Sequence, residues 1–115
     1  MGVSAFLKEK NPEIQIIGLQ PKDGSQIPGI RRWSEAYRPN IFQPAKVDRT
    51  IDISQSASER MMRRLAAEEG IFAGVSSGGS ISAALQVNQE VEGATIVAIV
   101  CDRGDRSLST GVYGT

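Results

Sequence analysis

Apolar and polar positions fall into a few patterned stretches separated by polar or Gly- and Pro-rich ones. "SAFLKEK" has helix-forming residues but only about two turns of length, which is marginal for an isolated helix, and it reads as the back half of a longer unit. In "EIQIIGLQP", Ile14, Ile16, Ile17 and Leu19 form a near-continuous apolar run, the pattern of a strand buried on both faces of a parallel sheet. "KVDRTIDIS" alternates instead, with Val47, Ile51 and Ile53 on one face, and predicts a second, less buried or edge strand. "SASERMMRRLAAEEG" carries the strongest helix signature: Ser56 and Glu59 at capping-box spacing, a Met61/Met62/Leu65/Ala66 stripe, Glu59 four residues before Arg63, and Gly70 as a stop. After the short apolar "IFAGV", Ser77 is placed to cap a second helix running through Ile81, Ala84 and Leu85, and "ATIVAIVCD" predicts another buried strand ending at Cys101.

Helices and strands therefore alternate, which predicts an α/β fold with a layered, mostly parallel sheet. No internal repeat or low-complexity tract interrupts it. Between Pro21 and Ala45 no period is visible, and Pro21, Gly24, Pro28, Gly29, Pro39 and Pro44 punctuate the stretch. A loop of that length in a compact domain is usually functional or disordered.

Composition narrows the function classes. The 115 residues, 40% apolar and 23% charged, suit one globular unit. Thirteen basic and thirteen acidic residues cancel, so the charge balance gives no general attraction to nucleic acid. No apolar run approaches the roughly 20 residues of a membrane span. The N-terminus has no signal-peptide core and Cys101 is the single cysteine, so the expected location is cytoplasmic. Histidine is absent, which excludes a His-containing triad or His-ligated zinc within this chain.

Three segments carry candidate chemistry. In open α/β sheets ligands sit where strands lead through loops into helices, and "GVSSGGS" and "CDRGDRSLSTG" fit that placement. The first offers a helix N-terminus to an anion, or else its glycines serve close helix packing and its serine a cap. The second places a thiol before two Asp and two Arg, which pair with each other as readily as they bind a ligand. The third, "IPGIRRWSEAYRPNIF", sets Trp33 beside Arg31 and Arg32, a guanidinium pair suited to a carboxylate with Trp33 placed to close over a small ligand, or else a loop packed by its own aromatics.

"IIGLQP", "GSQIPGIRRW", "EEGIFAGVSSGGS" and "AIVCDRGDRSLSTGVYG", in this order, resemble segments of the pyridoxal-phosphate-dependent cysteine synthases, and "GIRRW" and "CDRGDR" resemble their B type. The resemblance covers essentially the whole chain. It implies the C-terminal third of a fold-type II enzyme, tryptophan synthase β-like in architecture and usually a homodimer. Such an enzyme eliminates the leaving group of O-acetylserine to an aminoacrylate and adds sulfide or a thiosulfate-type donor, giving cysteine. The cofactor implied is pyridoxal 5′-phosphate. No nucleic-acid or membrane partner is expected.

By the same resemblance Ser76 presents its hydroxyl to the pyridine nitrogen, Cys101 lines the cofactor ring, and Arg31, Arg32 and Trp33 belong to a mobile active-site loop over about residues 21–45 that admits substrate. The Schiff-base lysine and the phosphate-binding loop belong to motifs that do not occur in residues 1–115, so the expectation is a partial unit, cut at both ends and inactive alone. Alternatives are a non-catalytic binding or interaction module, or part of another fold-type II lyase such as a cystathionine β-synthase-like protein.

Overall fold

The computed structural model describes residues 1–22, 24, 27, 30 and 44–105. Helix α1 spans Gly2–Lys10, strand β1 Ile17–Pro21, strand β2 Arg49–Ile53, helix α2 Gln55–Glu69 and helix α3 Val75–Asn88, with a 3-10 turn at Pro44–Lys46 before β2. β1 and β2 are parallel, in a register running from Ile17 opposite Arg49 to Pro21 opposite Ile53. Pro21 ends its strand, where the missing N–H costs least.

The two-turn α1 is short for independent stability, and it is tied down at both ends. The Ser4 hydroxyl donates to the Lys46 carbonyl at 2.6 Å. Lys8 Nζ lies 2.7 Å from Asp48, whose other role is to accept the Ile16 N–H, also at 2.7 Å. One carboxylate thus joins α1, the approach to β1 and the approach to β2. Its neighbours hold the Asp48 carboxyl below its ordinary value, first through the Lys8 hydrogen bond and then through the Ile16 N–H.

The core gathers Ile51 and Ile53 of β2, Met62 of α2, Val75 and Ala83 of α3, and Ile27, with Ile17 and Leu19 of β1 packed against it. The alternation in "RTIDI" holds, since Ile51 and Ile53 are buried and their neighbours exposed. The relative burial of the strands is reversed from expectation: β2 supplies fully buried side chains, whereas Ile17–Gln20 are only half-buried.

α2 starts earlier than the Ser56/Glu59 spacing predicts. Ser54, in extended backbone, is the N-cap and accepts the Ala57 N–H at 3.1 Å, while Ser56 is inside the first turn. Glu59 accepts from Gln55, and Arg64 pairs with Glu68 at 2.8 Å. Met62 and Leu65 are the buried part of the predicted stripe. Gly70 ends the helix in the left-handed region, φ 68°, as expected, and the N–H groups of Gly70 and Ile71 both turn back to the Leu65 carbonyl.

α3 buries a different stripe from the one predicted. Val75, Gly79 and Ala83 face inward at four-residue spacing, while Leu85 is 44% exposed. The cause is close contact with α2. A Cβ at Gly78 would collide with the Ser58 carbonyl and come within 2.8 Å of the Met62 nitrogen, and one at Gly79 would meet Ile53 Cδ1 at 2.6 Å. Large side chains have no room on that face, so the inward stripe is built from small ones.

"ATIVAIV" also departs from expectation. The described sheet contains β1 and β2 alone, and Val97, Ile99 and Val100 are 82%, 64% and 46% exposed. The composition is that of a buried strand, but no described strand flanks it. No helix among the described residues is long and apolar enough to cross a membrane.

Candidate functional site

The start of α3 and residues 101–105 meet on one side chain, Ser77. Gly74 is the N-cap, so α3 begins without a capping side chain of its own. A carboxylate from elsewhere reaches the same turn: Asp102 Oδ1 accepts the Gly74 N–H at 3.1 Å and the Ser77 hydroxyl at 3.0 Å. Ser77 Oγ in turn accepts the Cys101 N–H at 3.0 Å. The predicted cap Ser77 is therefore three residues inside the boundary, fully buried, and bridges two segments rather than capping.

Glycines allow this closeness. A Cβ on Gly74 would strike the Asp102 carboxylate, and one on Gly104 would meet the Phe72 ring at 2.5 Å and the Ala73 carbonyl at 3.0 Å. Gly104 N–H donates to the Phe72 carbonyl at 2.9 Å, and Ala73 and Arg103 form an isolated antiparallel bridge. Arg103 pairs with Asp105 at 3.1 Å on the surface.

Between the phosphate-cradle and packing readings of "GVSSGG", the geometry selects packing. Gly78 and Gly79 serve the α2 contact, and the positive end of α3 already holds a carboxylate. A phosphate placed there would meet the Asp102 charge. Ser76, one residue from the bridge, lies in the first turn of α3 and is 4% exposed. A serine hydroxyl can both donate and accept, so the residues present are compatible with the pyridine ring that the sequence resemblance implies. Cys101 is exposed, its thiol making only a weak 3.7 Å contact to the Ile99 carbonyl.

The structure thus ties Cys101 to Ser77, the residue that follows Ser76, through one hydrogen bond. Arg31, Arg32 and Trp33 lie outside the described residues. Sequence reasoning missed Asp102 as the organiser of the site. Its signal is weak: a glycine in the cap position of a helix implies a cap from elsewhere, but nothing local points to a residue 28 positions away.

These elements make an α/β chain with a parallel strand pair, and its structural neighbours are fold-type II pyridoxal-phosphate enzymes. The chain belongs to the family described as pyridoxal-phosphate dependent enzyme, whose model matches residues 1–102. Over 113 residues, 98% of the chain, it is 60% identical to cysteine synthase B of Pseudomonas aeruginosa and 55% identical to that of Escherichia coli, K12 strain. It spans 38% and 37% of the length of these curated relatives. A solved cysteine synthase from Entamoeba histolytica superposes on 97% of the chain with a TM-score of 0.88 and 36% identity, through 36% of its own length.

Proposed function

We propose that this chain is the C-terminal portion of a cysteine synthase of the B type, a transferase that in its whole form converts O-acetylserine and sulfide, or a thiosulfate-type donor, to cysteine. The whole protein is read as a cytoplasmic homodimer that uses pyridoxal 5′-phosphate. Identity of 55–60% to cysteine synthase B across nearly the entire chain supports this reading. The single structural observation that carries it is the Ser77 bridge, which joins the turn holding Ser76 to Cys101 and Asp102.

When bound, the cofactor supplies an electron sink for loss of the Cα proton and the β-leaving group. In this reading the Ser76 hydroxyl holds a hydrogen bond to the pyridine nitrogen. A neutral hydroxyl does not enforce protonation there as a carboxylate would, which tempers the electron demand to what β-elimination needs. Ser77 and Asp102 hold the turn that presents Ser76. Cys101 lines the ring, and Arg31, Arg32 and Trp33 attract and cover the anionic sulfur donor. Residues 1–115 then form one partial unit, with residues 21–45 as the active-site loop.

The test is a chimera that joins this chain to the preceding part of the P. aeruginosa relative, with cofactor absorbance and cysteine formation as readouts. An active chimera and a Ser76→Ala variant with altered absorbance and slower turnover support the reading. A chimera that binds cofactor and turns over identically with Ser76→Ala removes the role of Ser76. One that folds but makes no cysteine removes the enzymatic reading.

A further inference from the structure

Both oxygens of the Asp102 carboxylate pack on the start of α3, where a Cβ built on Gly74 would lie 2.4 Å from each of them. Oδ1 accepts from the Gly74 N–H and from the Ser77 hydroxyl, so the charge is bonded to the residues on either side of Val75 and Ser76. The other buttressing carboxylate of the chain, Asp48, has a cation partner in Lys8. Asp102 differs: among the described residues no ion pair uses it. Its neighbour Arg103 pairs with Asp105 at 3.1 Å instead. What the Asp102 charge faces is the helix end itself.

The two hydrogen bonds do not by themselves call for a charge. Gly74 and Ser77 are neutral donors, and an amide or hydroxyl oxygen would accept from them as well. A carboxylate adds an electrostatic effect that those groups lack. α3 has 14 residues, and a helix carries roughly half a positive charge at its N-terminus. One full negative charge in the same turn reverses the local sum, from about +0.5 to about −0.5. Ser76 lies inside that turn.

We propose that Asp102 acts through its charge on the cofactor ring that the Ser76 hydroxyl meets, offsetting the positive end of α3 and holding back its pull on the ring's electrons. The placement of the ring rests on the proposed function. Asp102 is a positioning residue whose contribution is electrostatic: it is bonded to Gly74 and Ser77, and it lowers the potential of the turn from there. Ser76 remains the group that contacts the pyridine nitrogen, and Ser77 carries the connection to Cys101.

The experiment uses the chimera of this chain with the preceding part of the P. aeruginosa relative, loaded with pyridoxal 5′-phosphate. It reads the cofactor's absorbance maximum at one pH, together with amide exchange of the protein. Light absorption moves electron density toward the ring nitrogen, so a more positive turn lowers the transition energy. Asp102→Asn is expected to keep exchange protection at Gly74 and Cys101 and to shift the maximum to longer wavelength. Asp102→Glu, which retains the charge, is expected to absorb as the parent does. So is Glu68→Gln, which removes a charge from the exposed end of α2. An Asp102→Asn spectrum identical to the parent's overturns the inference, as does an equal shift in Asp102→Glu or Glu68→Gln. If Asp102→Asn loses protection at Gly74 and Cys101, the Glu variant decides: parent-like absorbance supports the charge, and a displaced band assigns the effect to shape and overturns it. A parent chimera that folds but takes up no cofactor overturns the proposed function and the inference together. One that takes it up and forms cysteine, with Asp102→Asn indistinguishable from it, overturns the inference alone.

Discussion

Asp102 reaches back 28 residues to Gly74 at the start of α3, and the same carboxylate oxygen accepts the Ser77 hydroxyl. The carboxylate lies 3.0 Å from the Ser77 hydroxyl and 3.1 Å from the Gly74 N–H. Two donors at the start of α3 depend on this one oxygen. Asp102→Ala is expected to lower stability by about 1–3 kcal/mol, the cost of leaving a buried donor unsatisfied, and to speed amide exchange at Gly74 and Cys101. Asp102→Asn keeps an acceptor and should lose less. Urea unfolding of the three proteins checks the order; equal stability of Asp102→Ala and the parent would show that the carboxylate does not hold the start of α3.

Gly78 and Gly79 give a test in which magnitudes decide the sign. Within a helix, Ala is favoured over Gly by about 1 kcal/mol. At Gly78 the added methyl would run into the Ser58 carbonyl and the Met62 nitrogen, backbone that moves only if α2 moves. Overpacking of that kind costs about 1–3 kcal/mol, so Gly78→Ala should be destabilising despite its propensity gain. At Gly2 nothing lies within 4 Å of the place an added methyl would take. Only the propensity gain operates there, and Gly2→Ala should be neutral or slightly stabilising. Thermal melts of both variants report the contrast.

What can be read in advance follows from how local each cause is. The helix over Gln55–Glu69, its Gly70 stop and the in-out alternation of β2 depend on neighbours a few residues away, and the sequence contains them. The boundary of α3 and its buried stripe depend on α2 packing and on Asp102, so the local preference for Ser77 as cap and for Ile81 and Leu85 as core is overridden. The apolar run 94–100 has the composition of a buried strand, but burial requires a neighbouring strand on each side and the described sheet has none there. Motif resemblance points to Ser76 and Cys101, whereas the hydrogen bond from Cys101 to Ser77, the neighbour of Ser76, spans 24 residues and has no local signature.

Met62 separates the two halves of the "MM" pair. It is fully buried in the cluster with Ile53 and Val75, while Met61 is only partly covered. Met62→Ala is expected to cost about 2–5 kcal/mol, because a fully enclosed side chain leaves a cavity that backbone packing between α2 and α3 cannot collapse. Met61→Ala should cost distinctly less. Denaturant midpoints measure both, and similar losses would contradict the burial difference.

Acid should loosen α1 before it melts the α2–α3 pair. Asp48 is hydrogen-bonded to Lys8 and to the Ile16 N–H, and both contacts lower its carboxyl from the ordinary 3.8. A carboxyl depressed in the folded state contributes stability above its unfolded value, and that contribution is lost as pH falls through the lower folded value. The window therefore lies below about pH 4. Glu90, depressed by the Arg49 hydrogen bond, adds to the loss in the same direction. Asp48→Asn removes the charge that Lys8 needs, so at neutral pH it should be less stable than the parent and show faster exchange at Ile16 and along α1. As pH drops the two proteins should converge, because protonation makes the parent's residue 48 neutral as well. Added salt should narrow the neutral-pH gap, since the Lys8 pair is near the surface. A gap between the two proteins that stays constant with pH would mean that Asp48 acts by shape alone and that its ion pair with Lys8 contributes nothing to holding α1.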